Sequence, residues 1–355
     1  MSQYFSHYSQ AESFINNPRR PDFNNLLAVL KGERPSRPTL FEFIIDESIG
    51  QQLTKGIHYE ESDPFAAYKR RADMFRIAGY DFVAMTGSDL SIVHRKGQKE
   101  QSESVSLNGG WIADRADFDA FPWTDVDKGD FSRLEAVAAY IPDGMKIIPF
   151  GPDGVLENVI SLTGYEGLCY MLYEDPDLVE ALFAEVGKRL VRYYEICGQN
   201  KAVGAMVSND DWGFNTQPML SVKDMQKYVF PWHKKIVEAI HAAGVPAILH
   251  SCGNPTALMD DIVHTMKFDG RHSYEDNIIP VETAYDRYSS EIAILGGLDI
   301  NFLCTASPEQ VYNRAAAMLE RTRERGRYAL GSGNSVPPYV SFENYLAMIA
   351  AAVLG

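Results

Sequence analysis

A histidine and a cysteine two residues apart stand directly after an apolar run in the second half of the chain. The run and its end read ILHSCGN over residues 248–254, with His250 and Cys252 on either side of a serine. Successive side chains of a strand point to opposite faces, so residues two apart can face one centre. Zinc binds imidazole and thiolate in tetrahedral geometry, and a catalytic zinc keeps one position open for water or substrate. The pair therefore predicts part of a zinc site.

The same pair also has a plain structural interpretation. In it, His250 is a hydrogen-bonded residue at the end of a buried strand, and Cys252 is a small buried thiol. The spacing is short, and the chain contains no CxxC and no HxxxH that would support a metal site. The zinc hypothesis therefore depends on whether further ligands follow neighbouring strands.

Other polar residues follow apolar runs elsewhere in the chain. They are Asp89, then Asp210, Asp211 and Trp212 in NDDWG, His272 and Glu275 in RHSYED, and Ser332 and Asn334 in GSGNS. Each motif also has a structural interpretation. A carboxylate of NDDWG can cap a helix, and RHSYED can be a solvated charged turn. GSGNS could bind a phosphate, but Gly/Ser loops are common without one. If the strand ends meet at one place, these groups converge on one pocket.

Eight short apolar runs decide where these residues lie. The runs cover residues 39–45, 81–87, 146–151, 202–208, 246–251, 269–274, 292–297 and 327–333. Helical segments separate many of them, such as the one between Ser307 and Gly326, which has the capping serine and terminating glycine expected of a helix. Repeated βα units in this number predict an α/β fold, a (β/α)8 TIM barrel, with its chemistry at the carboxyl ends of the strands. A doubly wound sheet is the structural alternative.

Two regions depart from the βα repeat. Residues before the first run form an N-terminal extension, and the region near residues 90–125 loses the repeat and reads as an inserted hairpin or loop. No Gly/Ser-rich or Pro-rich linker divides the chain. We therefore expect one domain over residues 1–355.

Composition limits the partners and the compartment. The 355 residues include 33 Lys and Arg against 48 Asp and Glu, a formal net charge of -15, and no basic cluster that would attract a phosphate backbone. The four cysteines lie far apart, which suits a reducing compartment. The N-terminal residues are polar, and the longest apolar stretch is shorter than the roughly 20 residues that span a bilayer. We expect a cytoplasmic protein that binds neither nucleic acid nor membrane.

Taken in order, these motifs resemble the uroporphyrinogen decarboxylase superfamily, which includes the cobalamin-dependent methyltransferases. The resemblance covers nearly the whole chain. The stretches that carry it are NLLAVLKGERPSRPTLFEF near the start, GPDGVLENVISLTGYEGLCYMLYEDPDLV in the middle, VSNDDWGFNTQPML and ILHSCGN after it, and GSGNSVPPYVSFENYLAMI at the end. The superfamily implies the barrel fold that the repeated βα units already predict.

The methyltransferase branch resembles this chain more at the positions that bear on chemistry. His250, Cys252 and Gly253 match the zinc-binding HxCG of that branch. The decarboxylases carry an arginine-rich segment after the first strand for the acidic groups of the porphyrinogen, whereas this chain has the acidic FEFIIDES there. Asn334 stands where the decarboxylases have a histidine, although Asp89 stands where they have a catalytic aspartate.

The resemblance leaves the third zinc ligand to be assigned. In the coenzyme M methyltransferases of this branch it is a cysteine in the last βα loop, and Ser332 stands at that position here. A carboxylate or an imidazole can replace a thiolate on zinc. We therefore predict Glu275 as the third ligand, with His272 as the alternative.

The resemblance implies a zinc-dependent methyltransferase. It would move a methyl group between a small methylated donor, such as a methoxylated aromatic or methylamine-like compound, and the cobalt of a corrinoid protein. The chain has no DxHxxG motif, so cobalamin should arrive on a separate protein partner. The predicted catalytic residues, which orient the substrate or move its proton, are Asp89, Asp210 and Asp211, and the predicted substrate-binding residues are Trp212, His272 and Asn334.

Two other functions stay open from the sequence. One is a decarboxylase acting on a carboxylated ring, which Asp89 favours and the absent arginines oppose. The other is a binding protein that keeps the barrel without turnover, because a fold does not fix a function. A homodimer is compatible with either and with the methyltransferase.

Overall fold

A sheet of seven parallel strands organises the protein, which we describe from a computed structural model over residues 14–92 and 110–354. The strands pair in chain order from β1 to β7, with every neighbouring pair parallel. This order excludes the doubly wound alternative, in which the strand order reverses at a switch point. The strands are β1 Phe82–Thr86, β2 Lys146–Phe150, β3 Met206–Asn209, β4 Ala247–His250, β5 Gly270–His272, β6 Ala293–Leu295 and β7 Tyr328–Ala329.

The first predicted strand, residues 39–45, takes the eighth position as an irregular segment. Parallel bridges join Leu40 to Leu330 and Ile45 to Val336, which places the segment beside β7 and the loop after it. On its other side, the ring of Phe41 packs 5.6 Å from that of Phe82 in β1. Among the residues described, no backbone bridge connects this segment to β1. The predicted barrel class is confirmed, with seven regular strands and one bridged segment.

Helices follow the strands and cover the sheet. The strands are buried along nearly their whole length, as expected of parallel sheets covered on both faces. The helices are α1 Asn24–Lys31, α2 Glu47–Leu53, α3 Ala66–Ala78, α4 Arg115–Ala120, α5 Ser132–Ala138, α6 Val155–Thr163, α7 Tyr165–Glu174, α8 Pro176–Cys197, α9 Val222–Asp224, α10 Phe230–Ala242, α11 Val281–Tyr288, α12 Ile300–Thr305, α13 Pro308–Thr322 and α14 Phe342–Val353. Short 3-10 turns occur at Val126–Lys128 and Thr256–Leu258, and π-helical turns at Met225–Val229 and Asp261–Thr265.

Local sequence explains where α13 begins. Ser307 accepts a hydrogen bond from the backbone N–H of Gln310, whose side chain accepts from Ser307 N, and Pro308 occupies the first helical position. This capping box satisfies N–H groups that a helix start leaves without partners. The predicted start is confirmed, and the helix ends at Thr322, four residues before Gly326.

The predicted insertion near residues 90–125 is described only in part, since residues 93–109 lie outside the described ranges. Its described end is a loop with the short helix α4, and Ile112 N donates to Leu162 O at the end of α6. Arg189 in α8 fixes the end of this segment by donating to Thr124 O. Over the residues that the structure describes, no helix is both long and apolar enough to cross a membrane.

Candidate metal centre

Three potential ligands meet at the carboxyl ends of β3 and β4. Ligand atoms of Asp211, His250 and Cys252, which we call the metal trio, all lie within 4.8 Å of one another. His250 Nε2 lies 3.9 Å from Cys252 Sγ, and one Asp211 carboxylate oxygen accepts a 2.8 Å hydrogen bond from Cys252 N. The i, i+2 spacing on a strand end thus brings imidazole and sulfur together, as the sequence predicts.

Strand register and one close backbone contact build this geometry. Parallel pairing sets Asn209, His250 and His272 side by side across β3, β4 and β5. After Cys252 the chain turns at Gly253, whose φ of +85° favours glycine. A Cβ atom added there would lie 2.1 Å from the carbonyl oxygen of Gly213. Glycine therefore lets the loops after β3 and β4 touch, which brings Asp211 to Cys252.

His250 is buried and held from two sides. Its ring stacks on Phe43 with centroids 4.1 Å apart, and its Nδ1 lies 2.8 Å from Nδ1 of His272. Burial, helped by the positive charge of Arg271, lowers the pKa of His250 to about 3. The imidazole is therefore neutral near neutral pH, the form in which histidine binds metals.

The sulfur of Cys252 sits among polar donors. Asn334 Nδ2 lies 3.2 Å from Sγ and Ser273 Oγ lies 3.9 Å from it. Burial and then the nearby Asp211 carboxylate raise the pKa of the thiol, while the two donors oppose that shift. A bound cation would favour the thiolate in the same place, because a coordinating thiol is deprotonated.

The neighbouring carboxylate, Asp210, has a different environment. It is fully buried and accepts four hydrogen bonds, from the N–H groups of Leu156 and Glu157, from Trp212 Nε1 and from His233 Nε2. It thereby satisfies N–H groups in the first turn of α6. Asp210 therefore has the helix-capping role that was considered for NDDWG. It caps α6, which precedes it in the chain, and not the helix that follows it. Its predicted catalytic role stays a prediction.

Trp212 and His272 both lie in the interior. Trp212 is 1% exposed and packs edge-on against His233, so its ring belongs to the core. Its predicted stacking on a substrate stays a prediction. His272 is fully buried at the end of β5, between His250 and the backbone carbonyl of Ser332.

Two predicted carboxylates lie outside the metal trio. Glu275 is half-buried, and burial, then Asp299 and Asp211, raise its pKa. Asp89 is exposed on the loop after β1. The predicted roles of Glu275 as third ligand and of Asp89 as a catalytic residue stay predictions, while Asp211 supplies the carboxylate that the structure brings to His250 and Cys252.

Ser332, at the position where the resemblance puts a cysteine in the coenzyme M methyltransferases, binds Glu42. Its N–H and its hydroxyl contact the two carboxylate oxygens of Glu42 at 2.6 and 2.7 Å, and the hydroxyl also contacts Asn334 O. Burial raises the pKa of Glu42 to about 8. Sequence reasoning overlooked Glu42, although a carboxylate inside the apolar run TLFEFII is itself a signal.

The centre is acidic around its rim. Glu157 accepts a hydrogen bond from Gly154 N, and burial together with Asp210, Asp211 and Asp153 raises its pKa well above the usual range. Imidazole nitrogen, thiol sulfur and carboxylate oxygen together fit zinc, which accepts all three ligand types. The donor set of the trio is therefore chemically suited to the metal that the sequence predicts.

Comparisons with known proteins agree with this architecture. Residues 150–353 match the family described as "Uroporphyrinogen decarboxylase (URO-D)". A uroporphyrinogen decarboxylase from Anaeromyxobacter is 26% identical over 280 residues, 75% of each chain. The methylcobamide:CoM methyltransferase MtbA of Methanosarcina acetivorans is 33% identical over 100 residues, 27% of each chain.

A solved structure has a similar fold over nearly the whole chain. The methyltransferase from Methanosarcina mazei aligns with a TM-score of 0.67 at 15% sequence identity, over 92% of this chain and 97% of that one. The predicted resemblance is confirmed, with proteins named as decarboxylases and as methyltransferases both among the similar ones. The chain belongs to the uroporphyrinogen decarboxylase family.

Proposed function

We propose that this protein is a zinc-dependent methyltransferase that moves a methyl group between a small methylated donor, such as a methoxylated aromatic compound, and the cobalt of a corrinoid protein. The observation that carries the proposal is the metal trio, which combines nitrogen, sulfur and oxygen donors at the carboxyl ends of barrel strands. The two methyltransferases among the similar proteins support the reaction class.

We assign Asp211, rather than Glu275, as the third protein ligand. Asp211 reaches the histidine and the cysteine directly and is held by Cys252 N through one oxygen, which leaves the second oxygen for a cation. Glu275 stands on the next loop, where its carboxylate can face a substrate. Three protein ligands would leave a fourth position open, as catalytic zinc sites require.

Zinc bound here would act as a Lewis acid towards the heteroatom that carries or accepts the methyl group. The chain's own residues do the positioning. Asn334 donates its amide to the sulfur of Cys252, and His250 is fixed by its stacking on Phe43. Asp210 holds the start of α6 and the ring of Trp212, which keeps the backbone before Asp211 in place.

Access and charge restrict what binds. Cys252, Asp211 and Asn334 are all partly exposed, so the trio can be reached from the barrel mouth. The carboxylates Asp153 and Glu275, which are exposed and partly exposed, disfavour a polyanionic substrate. A separate corrinoid protein would dock on this mouth and present its cobalt to the open position.

The second candidate is a decarboxylase of the uroporphyrinogen type. Its support is the 26% identity, over 75% of both chains, to a protein of that name. The acidic rim opposes it, since a porphyrinogen carries several carboxylates. The two functions differ in metal content and in product, which makes them separable in one set of assays.

The test combines metal analysis with two activity assays on the purified chain. We expect close to one zinc per chain, loss of zinc in Cys252→Ser, and retention in the matched control Cys169→Ser, whose thiol is exposed elsewhere. Methylation of reduced cobalamin, followed by its absorption spectrum across methoxy, methylamino and methylthio donors, should depend on Cys252. A zinc-free chain that releases carbon dioxide from uroporphyrinogen would overturn the proposal, and a chain inactive in both assays without zinc would favour a binding protein.

A further inference from the structure

A line of contacts runs from the last βα loop to the metal trio through two histidines. The carbonyl oxygen of Ser332 lies 3.2 Å from His272 Nε2, and His272 Nδ1 lies 2.8 Å from His250 Nδ1. On its other side, His250 turns Nε2 towards Cys252 Sγ at 3.9 Å. Three groups that exchange hydrogen bonds thus stand in series behind the position proposed for the metal.

Proton counting along this line leaves one arrangement. A backbone carbonyl can only accept, so His272 Nε2 must carry the proton of that contact. A neutral imidazole has one N–H, so His272 Nδ1 is left as an acceptor. His250 Nδ1 must then be the donor between the rings. The remaining nitrogen, His250 Nε2, has no proton and offers its lone pair towards Cys252.

The interior keeps both rings neutral, as this count requires. His272 is fully buried and His250 is 6% exposed. Arg271, beside His272 in the chain, is buried as well, and a further positive charge in this interior without a carboxylate partner would be costly. A second proton on His272 would also turn its Nδ1 from the acceptor of this contact into a donor that faces the N–H of His250.

The surroundings hold the His272 ring in this orientation. Phe41 packs against it with centroids 5.4 Å apart. Gly296, at φ +70°, lies so close that an added Cβ would approach His272 Nε2 to 2.9 Å and Ser332 O to 2.3 Å. Glu42 fixes the carbonyl-bearing residue by binding both the N–H and the hydroxyl of Ser332. Each of these contacts restricts the movement of the His272 ring or of the Ser332 carbonyl. We call the line from Ser332 O through His272 to His250 the relay.

We infer that His272 is a positioning residue that fixes His250 in the Nδ1–H tautomer, so that Nε2 is presented unprotonated to the metal. Its purpose rests on the proposed function, because it supposes that the metal trio binds zinc. Metal-ligating histidines commonly donate their second nitrogen to a carboxylate, a carbonyl or water. Here the acceptor for His250 Nδ1–H is the neutral imidazole of His272, which the carbonyl of Ser332 orients.

The tautomers can be observed directly in the metal-free protein. With 15N-labelled histidine, long-range 15N–1H correlation spectra separate protonated from unprotonated ring nitrogens for each of the eight histidines. We expect His250 protonated at Nδ1 and His272 protonated at Nε2, with each assigned by the loss of its signals in a single variant. A spectrum with His250 protonated at Nε2 would overturn the inference, whether or not zinc binds.

Metal affinity supplies the second readout. His272→Leu removes the acceptor, and we expect zinc affinity to fall about 10- to 100-fold in competition with a chelator. His272→Asn, whose amide oxygen can accept from His250 Nδ1, should recover part of that loss. Co2+ substitution should show a weaker or shifted sulfur-to-cobalt absorption band in the leucine variant.

The outcomes separate this inference from the proposed function. Unchanged affinity in a folded His272→Leu protein would show that His272 does not position the ligand, although zinc binds. If the unaltered protein binds no zinc, the proposed function fails, while the tautomer spectra still decide whether the relay exists. If the leucine variant does not fold, the spectra of the unaltered protein and the asparagine variant carry the test.

Discussion

Two neighbouring clusters in this barrel each combine a histidine with an aspartate, and they differ in their capacity to bind a ligand. The buried network consists of Ser208, Asp210, Trp212 and His233, and the metal trio consists of Asp211, His250 and Cys252. In the buried network each ring nitrogen of His233 has a partner, Ser208 Oγ at 3.1 Å and Asp210 Oδ2 at 2.8 Å. In the metal trio, His250 Nε2 lies 3.9 Å from Cys252 Sγ, and Asp211, which is partly exposed, accepts a hydrogen bond through one carboxylate oxygen.

Residue type alone therefore does not identify a binding site. Adjacent aspartates at 210 and 211 look equivalent in NDDWG, yet one is fully used inside the protein and the other is half-buried with capacity left. Unused bonding capacity, together with access from solvent, is what a ligand needs. Substitutions at the two groups should therefore fail in different ways.

The largest expected effect is on stability, from Asp210→Ala. The change leaves His233 Nε2, Trp212 Nε1 and two N–H groups of α6 buried without an acceptor, which should lower the free energy of unfolding by about 3–5 kcal/mol. Urea denaturation followed by circular dichroism measures it. The matched change Asp211→Ala should cost less than about 1 kcal/mol, as expected for a partly exposed residue with one hydrogen bond. Equal losses would break the comparison.

The next effect is on metal affinity, for which the change at Asp211 should matter more than it does for stability. Asp211→Ala should weaken zinc binding at least about 100-fold, because it removes the carboxylate that we propose as the third ligand. Glu275→Gln should change it less than about 3-fold, since the amide keeps the size of a side chain outside the trio. Chelator competition gives both values. A large loss in Glu275→Gln alone would return the third-ligand role to Glu275.

A pH-dependent effect should come from Glu42, below the metal trio. Burial raises its folded pKa to about 8, above the usual 4.5 for a glutamate. The folded protein therefore binds this proton more tightly, and the resulting stability is complete below pH 4.5 and is lost as pH rises through about 8. The expected slope is up to about 1.4 kcal/mol per pH unit.

Glu42→Gln tests that slope. The amide copies the protonated carboxyl group, so the variant should be less sensitive to pH over the same window and at least as stable as the unaltered protein near pH 8. Urea denaturation across the window measures the difference between the two. Parallel pH curves for both proteins would show that Glu42 does not carry the proton.

The smallest effect is expected from Asn334→Ala. It removes the amide that contacts Cys252 Sγ at 3.2 Å, a partly exposed hydrogen bond worth about 1 kcal/mol. Zinc affinity should fall by less than about 10-fold, with the free energy of unfolding nearly unchanged. A complete loss of zinc would mean that Asn334 holds the loop and not only the sulfur.

Periodicity in the sequence located the strands, since each of the eight apolar runs overlaps a strand or the bridged segment. It also placed His250 and Cys252 on one side, because alternation along a strand is a local property. The third ligand was a different matter. Whether Asp211 or Glu275 reaches the pair depends on the contact between Gly213 and Gly253, which no local pattern records.

The orientation of Ser332 could not be predicted for the same reason. Its partner is Glu42, 290 positions earlier in the chain, and a pairing across that distance leaves no periodic trace. The resemblance puts Ser332 where the coenzyme M methyltransferases have a cysteine, but it does not show that the hydroxyl binds Glu42. A carboxylate within an apolar run was the single available hint.

The hydrogen bond between Glu42 and Ser332 also joins the bridged segment at residues 39–45 to the loop after β7. A ribosome makes Glu42 290 positions before Ser332, so the carbonyl that orients the His272 ring is missing until that whole stretch has been made. A nascent chain consequently carries its cysteine and histidine without the support that aims them. The orientation of the His272 ring therefore depends on a contact between distant parts of the chain, which cannot form before residue 332 has left the ribosome.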